Sequence, residues 1–529
     1  MKNSSIKTYL IGFIVIIPLL FTISFTQKKI NFIKEDKKLV DTNVIKNAPP
    51  VIAFTTIALG CFRGVLTDIL WLKMNSLQEN GQYFEMVQLA SWITKLQPRF
   101  TQATAFLAWN MAYNISVTCS SFEDRWRWVQ KGIELIRDEG LVYNPGDPVL
   151  YKELGWIYQH KIGNMMDDAH QFYKNRMAIE LMKVLGKGEI DWDALAKATK
   201  SEQEISKELK LNKKFWNKLI ANSATSQYKS LSDIENVFRE KGELPENLKQ
   251  ALIKNNKNVK LLVDYLRSKW LKDKFKLDPI IINKLNKKYG KLDWRLPEAQ
   301  ALYWATLGIK NDVAGTKVNQ FCDRMVSQSL RDAFMGGRLV FADPNNENTF
   351  LTIPNLELAD SVYQVYQKIY KRQKNRSFRD GMINFLKDVV VMMYTFGKKS
   401  KAEKFLKILR KESPHNKEFQ LSVDQYVLKE WKDDAKSATV KQIQSIVGSM
   451  IYQSYYLAAC GEEDAANSHM QLARGVFNIY KKQHLSTWKR VGFSFELMNK
   501  QMKKMCLNTL ASLKKYKEEH STKMKNNFN

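Results

Sequence analysis

Four residues between His160 and His170 are the best candidates for chemistry in this chain. His160, Asp167, Asp168 and His170 are all side chains that can ligate zinc or a similar metal. Their spacing matches no established metal motif, and a turn falls between the two histidines. The competing reading is structural. Asp167 and Asp168 would begin a helix, and His160 would end the one before it, each where the helix dipole favours its charge. The structural reading is preferred, with His160, Asp167 and His170 kept as metal candidates. Asp124, Glu134, Asp138 and Glu139 could supply the paired carboxylates of glycosidic acid–base work, but acidic residues at this spacing also form solvated helix faces. The sequence has no Gly-rich phosphate loop, no GxSxG and no HExxH. His415 and His484 are isolated. No catalytic set is assigned and no cofactor is expected.

Tryptophans suggest a different use. Trp109, Trp126, Trp128, Trp156, Trp294 and Trp304 fall along predicted helices. Those facing outward beside basic residues would form a groove for a peptide. The candidates for such contact are Arg125, Trp126, Arg127, Trp128, Trp156 and Trp304.

The elements that must position these residues are helix pairs. Trp71–Pro98 reads as two amphipathic helices. Trp71, Leu72, Met74 and Leu77 lie on the first, Gly81 at the turn, and Met86, Val87, Ala90 and Ile93 on the second, which Pro98 closes. A pair of this size cannot bury its apolar face alone and needs stacked neighbours. The 17-position interval from Gly81 to Pro98 recurs from Gly397 to Pro414, with Ala402, Leu406 and Leu409 in step. It recurs from Gly461, with Ala466, Met470 and Ala473, where Asn478 replaces the proline. Leu154, Gly155 and Tyr158, followed by Ala169 and Tyr173, form another unit. Trp304, Leu307 and Gly308 form a further first helix, after which the second helix reads as irregular.

These units resemble the tetratricopeptide repeat (TPR), a helix pair of about 34 residues with small residues at the turn and the helix crossing and a closing proline. The resemblance covers about half the chain in degenerate form. It implies an all-α, TPR-like α-solenoid of stacked antiparallel helix pairs that binds a protein or peptide in a concave groove.

Composition agrees with a helical protein. Glycine and proline are sparse, at 23 and 12 of 529 residues, and alternating β-branched runs are rare. The net charge of +29 raises nucleic acid or an anionic membrane as partners. Lys, however, supplies 65 of the 83 basic residues and is spread along the chain, whereas Arg is the side chain suited to base and phosphate recognition. No specific nucleic acid is expected. The five cysteines, Cys61, Cys119, Cys322, Cys460 and Cys506, form no CxxC and no disulfide framework.

Tyr9–Phe25 is 17 residues without a charge, roughly 25 Å of helix, enough to cross a bilayer core. An uncleaved single-pass anchor at 1–27 is expected, with a cleaved signal peptide as the competitor and the bulk of the chain extracytoplasmic. A linker follows at 28–50, then N-terminal repeats at 51–185. A Lys-rich helical insertion, 186–292, contains helix starts near Ser232 and Pro245. C-terminal repeats at 293–485 include their least helical part from Ser327 to about Pro354, where MGGRL, ADPNNENTF and IPN read as a turn, a candidate short hairpin and a turn. A long helix from about Ser486 and a charged tail complete 486–529. The expected function is a membrane-anchored scaffold for protein–protein interaction. The alternatives are an enzyme of cell-envelope polysaccharide or a metal-dependent enzyme on a helical scaffold, and a basic binder of RNA or an anionic membrane surface.

Overall fold

Helix caps and glycine turns set most of the element boundaries. The computed structural model describes parts of 18–33 and residues 62–507, apart from 165, 187, 212, 223–224, 253–255, 313–316, 342–349, 437–439, 460–462, 484–493 and 504–505. Most of the expected anchor, Tyr9–Phe25, and the tail beyond 507 lie outside the described residues. Among the described residues no helix is long and apolar enough to cross a membrane.

The chain divides into two compact units, residues 1–100 with 142–145, and residues 101–141 with 146–529. In the first, α1 (Phe62–Glu79) and α2 (Tyr83–Leu96) form an antiparallel pair. Gly81 adopts φ +70° at the turn, a conformation that costs a residue with a Cβ. Met74 and Leu77 of α1 and Met86, Leu89, Ala90 and Ile93 of α2 are buried between them.

The second unit begins with α3 (Thr101–Trp109), which continues through a wider π-helical turn, Asn110–Ile115. It pairs with α4 (Phe122–Glu134). Ser121 caps α4 by accepting from the Asp124 N–H at 3.1 Å, and Asp124 supplies the acidic first turn. Next, α5 (Pro148–Trp156) starts at the Asn144–Pro148 turn. Asp147 accepts from Val149 N–H at 2.8 Å and Leu150 N–H at 3.1 Å, and Pro148 occupies the first turn, where a missing N–H costs nothing. Another π-helical turn, Ile157–Ile162, extends α5, and α6 (His170–Leu185) returns antiparallel.

The Lys-rich region 186–292 is a run of helices: α7 (Trp192–Lys197), α8 (Glu202–Glu208), α9 (Lys213–Ala221), α10 (Leu231–Lys241), α11 (Glu246–Leu252), α12 (Asn256–Phe275) and α13 (Pro279–Tyr289). Ser230, not Ser232, caps α10. Ser230 Oγ accepts from Asp233 N–H, and the Asp233 carboxylate accepts from Ser230 N–H at 2.8 Å, a reciprocal box that Ser232 is two residues too late to form. Pro245 stands one residue ahead of α11.

The main chain of pairs resumes with α14 (Pro297–Asn311) and α15 (Lys317–Gly336). The latter corrects the expectation of an irregular second helix, and regular helix runs past Ser327, where the least helical part was expected to begin. Cys322, Met325, Val326, Leu330, Ala333 and Phe334 recur at helical steps and are buried, which carries α15 through to Gly336. The expected hairpin follows, β1 (Arg338–Phe341) antiparallel to β2 (Phe350–Ile353), with Leu339 opposite Thr352. Then come α16 (Ala359–Gln373), α17 (Arg376–Thr395), α18 (Lys399–Glu412), α19 (Val423–Lys436), α20 (Val440–Ala459) and α21 (Glu463–Gln483). Pairs α17–α18 and α20–α21 pack tightly, and Gly397 makes the turn of the former at φ +71°. Ser494 is non-helical, and a further helix covers 495–503. The protein is thus all-helical, built of antiparallel pairs, with one short hairpin among the described residues.

Candidate binding groove

Three helices of the second unit each turn one face toward a common cleft. On α3 and its extension these are Gln102, Ala105, Phe106 and Trp109; on α5, Val149, Lys152, Glu153 and Trp156; on α15, Phe321, Arg324, Met325 and Gln328. Each series falls at i, i+3, i+4 and i+7, the pattern of one helical face. The opposite faces of the same helices make the core, with Leu107, Ala108 and Met111, then Leu150, Leu154 and Ile157, and Cys322 and Val326 all buried. The cleft encloses about 530 Å³.

Small residues allow the helices to approach. A Cβ added at Gly155 would meet Met325 Sδ at 2.7 Å and Ala301 O at 3.3 Å, and one at Gly308 would meet Cys322 Sγ at 2.8 Å. Gln159, at 8 % exposure, locks α5 to α15 by donating to Met325 O at 2.9 Å and Ser329 Oγ at 2.8 Å.

Four aromatic side chains, Phe106, Trp109, Trp156 and Phe321, line the cleft, and a run of rings leads from it into the core. Trp109 stacks on Tyr113 with centroids 5.5 Å apart, Tyr113 lies 5.7 Å from His160, and His160 stacks on Trp156 at 4.6 Å. Phe106, Trp109 and Phe321 retain 45 %, 37 % and 54 % of their surface in water. Tyr113 Oη and His160 Nδ1 are buried without a hydrogen-bond partner, a rare condition for polar atoms. Burial, with a contribution from Glu153, pushes the Tyr113 phenol up. Burial and the neighbouring Lys161 lower His160, so both rings are neutral at pH 7.

Charge in the cleft is unevenly matched. Lys152 pairs with Glu153, and its Nζ sits 5.4 Å from the Phe321 ring centroid. Arg324 donates to Ser377 Oγ at 3.2 Å and lies 5.6 Å from the Phe378 centroid. Among the described residues Arg324 has no carboxylate partner.

Of the metal candidates, Asp167 is committed to other partners. Asp167 forms a buried ion pair with Lys161, accepts from Ala169 N–H at 2.9 Å and from Tyr173 Oη at 3.2 Å, and lies 3.5 Å from Arg125 Nη1. Arg125 also binds Asp168 and donates through Nε to Cys119 O at 2.9 Å. His160 is held in the aromatic run, and His170 begins α6. No group of three or more His, Cys, Asp and Glu residues is placed to hold a metal among the described residues.

The tryptophan candidates separate. Trp126 and Trp128 are 7 % and 8 % exposed, and Trp304 is 3 % exposed. All three are core residues rather than groove residues: Trp126 and Trp128 are buried on α4, and Trp304 on α14. Trp126 stacks on Tyr173 at 5.8 Å, and Trp304 on Tyr151 at 6.2 Å. Arg127 is exposed and paired with Asp124. Of the six, only Trp156 lines the groove. Phe106, Trp109, Lys152, Glu153, Phe321 and Arg324 were not among the contact candidates. The available signal was apolar residues on both faces of α3, with Phe106 and Trp109 out of step with the core series Ala103, Leu107 and Met111.

Past the groove along α15, Asp332 lies near Glu298 of α14 and Lys174 of α6. Burial pushes the Glu298 carboxyl up to about 7, with Asp332 adding to the shift and Lys174 opposing it. Burial also raises Asp332. No family model, curated protein or solved structure matches the chain.

Proposed function

We propose that the chain is a membrane-anchored scaffold of TPR-like stacked helix pairs, its bulk outside the cytoplasm, whose groove takes an extended segment of a partner protein. The observation that carries this reading is the set of exposed aromatic rings, Phe106, Trp109 and Phe321, converging on one cleft from helices distant in sequence. Aromatic anchors in a pocket supply most of the affinity in protein interfaces. A cleft of about 530 Å³ fits a few side chains rather than a globular surface. Arg324, without a carboxylate partner among the described residues, favours a segment with an acidic side chain beside its apolar ones. Gln102 and Gln328 offer amides to the segment's backbone.

A second reading is a cell-envelope polysaccharide ligand. The Trp109 and Trp156 rings beside Gln102, Gln328 and Glu153 would also suit a sugar. Pairing of Glu153 with Lys152 weighs against glycosidic catalysis there, since an acid–base pair needs two available carboxyls.

The test is crosslinked capture by the full-length protein in membranes, comparing the parent with a Phe106→Ser/Phe321→Ser variant. Both positions are exposed, so the fold survives. A stoichiometric protein partner lost in the variant supports the scaffold. A copurifying glycan with no protein partner moves the assignment to the second reading. Nucleic acid retained with a steep salt dependence points to the basic-binder alternative.

A further inference from the structure

Of the 25 large apolar side chains that stand exposed among the described residues, 12 belong to the first unit. On α1, Val65, Ile69 and Leu72 are 57 %, 55 % and 70 % exposed. Their spacing of four and three puts them on one stripe of the helix. The opposite stripe, with Thr67, Met74 and Leu77, is the one buried against α2. So α1 is apolar on two sides, and only one is used by its partner helix. Trp92 of α2 and Phe100 just beyond it are each 49 % exposed and stand on either side of Lys95 and Arg99. Leu19, Ile23, Phe25, Ile30, Phe32 and Ile33 are exposed in the helical residues of 18–33.

We infer that the Val65–Ile69–Leu72 face of α1 lies on the surface of a lipid bilayer, its apolar side chains among the acyl chains near the headgroups. Three observations select lipid over a protein partner. The face belongs to the unit that carries the uncharged run Tyr9–Phe25, so a weak affinity for the bilayer is multiplied by tethering. Two exposed aromatic rings, Trp92 and Phe100, on either side of Lys95 and Arg99 are the composition of a membrane interface. The basic residues Lys28, Lys29, Lys34, Lys37 and Lys38, which follow the run, complement anionic headgroups. With Asp68 and Lys73 flanking the apolar stripe, α1 suits a helix lying in the interface plane rather than crossing it.

The test places the photoreactive residue p-benzoylphenylalanine singly at positions 65, 69, 72, 68 and 75 of the full-length chain. The protein is reconstituted in vesicles of phosphatidylcholine and phosphatidylglycerol and irradiated. Lipid adducts are then read by mass spectrometry. All five positions are exposed, so folding is not at risk. Adducts at 65, 69 and 72 at least fivefold above those at 68 and 75 are expected. Adducts to a second copy of the chain or to another segment of the same chain at 65, 69 and 72 would overturn the inference. Equal labelling at all five positions would do the same.

Discussion

Lys161 and Asp167, with side chains 4 % and 6 % exposed, are the most deeply buried ion pair among the described residues. Removing one partner of a buried pair leaves an uncompensated charge, at a cost of about 3–5 kcal/mol. Asp167→Ala should therefore lose about that much stability in urea unfolding, and Lys161→Met/Asp167→Leu should recover most of it. An Asp167→Ala protein as stable as the parent would show that the pair is not structural. For the Asp167 carboxyl, burial acts to raise the pKa, but hydrogen bonds from Lys161 and from Ala169 N–H outweigh it, and the native value is lowered. Its contribution is thus full above the unfolded value of about 3.9 and is lost as pH falls through the native one. Glu298 has the opposite sign. Its native value of about 7 lies above the unfolded one, so its contribution is present at low pH and lost as pH rises through 7. Glu298→Gln should match the parent near pH 4 and become the more stable of the two above pH 7, as read by thermal melting across pH. At this scale the sequence was half legible. The place of His160 near a helix end followed from its type and spacing. Asp167 and Asp168 were expected to open a helix, but α6 starts at His170 with no acidic residue in its first turn, and the two carboxylates are tied to Lys161 and Arg125 instead. Burial of Trp126, Trp128 and Trp304 was not legible either, because an indole at a helical step reads alike on a core face and a groove face.

Helix crossings carry the groove's geometry. A Cβ at Gly132 would meet Ala108 O, a backbone atom, at 2.6 Å. The α3–α4 crossing cannot yield to that without moving the wall that holds Phe106 and Trp109. Gly132→Ala should cost roughly 1–3 kcal/mol in chemical unfolding, the range for overpacking. An unchanged midpoint would mean that the crossing is looser than described. Glycines at positions 81, 155, 308 and 397 were readable as turns or close approaches from their place in the repeat-like pattern. Caps at Asp147 and Ser121 follow local rules and were within reach of sequence. The π-helical turns Asn110–Ile115, Leu135–Gly140 and Ile157–Ile162 were not. They depend on neighbouring helices, and two of them carry Tyr113 and His160 into the aromatic run. The full length of α15 was also missed, since Gly336–Gly337 and the hairpin beyond it obscured a regular apolar stripe.

For the whole molecule, the antiparallel helix pairs followed from apolar periodicity and glycine–proline spacing, whereas the assembly of one groove from residues near 105, 153 and 325 did not. Helices α7–α13 lie in sequence between two of the walls and separate them by more than a hundred residues, and no local pattern reports that they meet. The central claim is that all three walls bind one segment. The most direct measurement is hydrogen–deuterium exchange on the full-length protein, with and without a peptide from the captured partner. Simultaneous protection of 102–113, 149–160 and 321–328, abolished by Phe106→Ser/Phe321→Ser, is the predicted result. Protection confined to other helices, or binding that survives the double substitution unchanged, would contradict it.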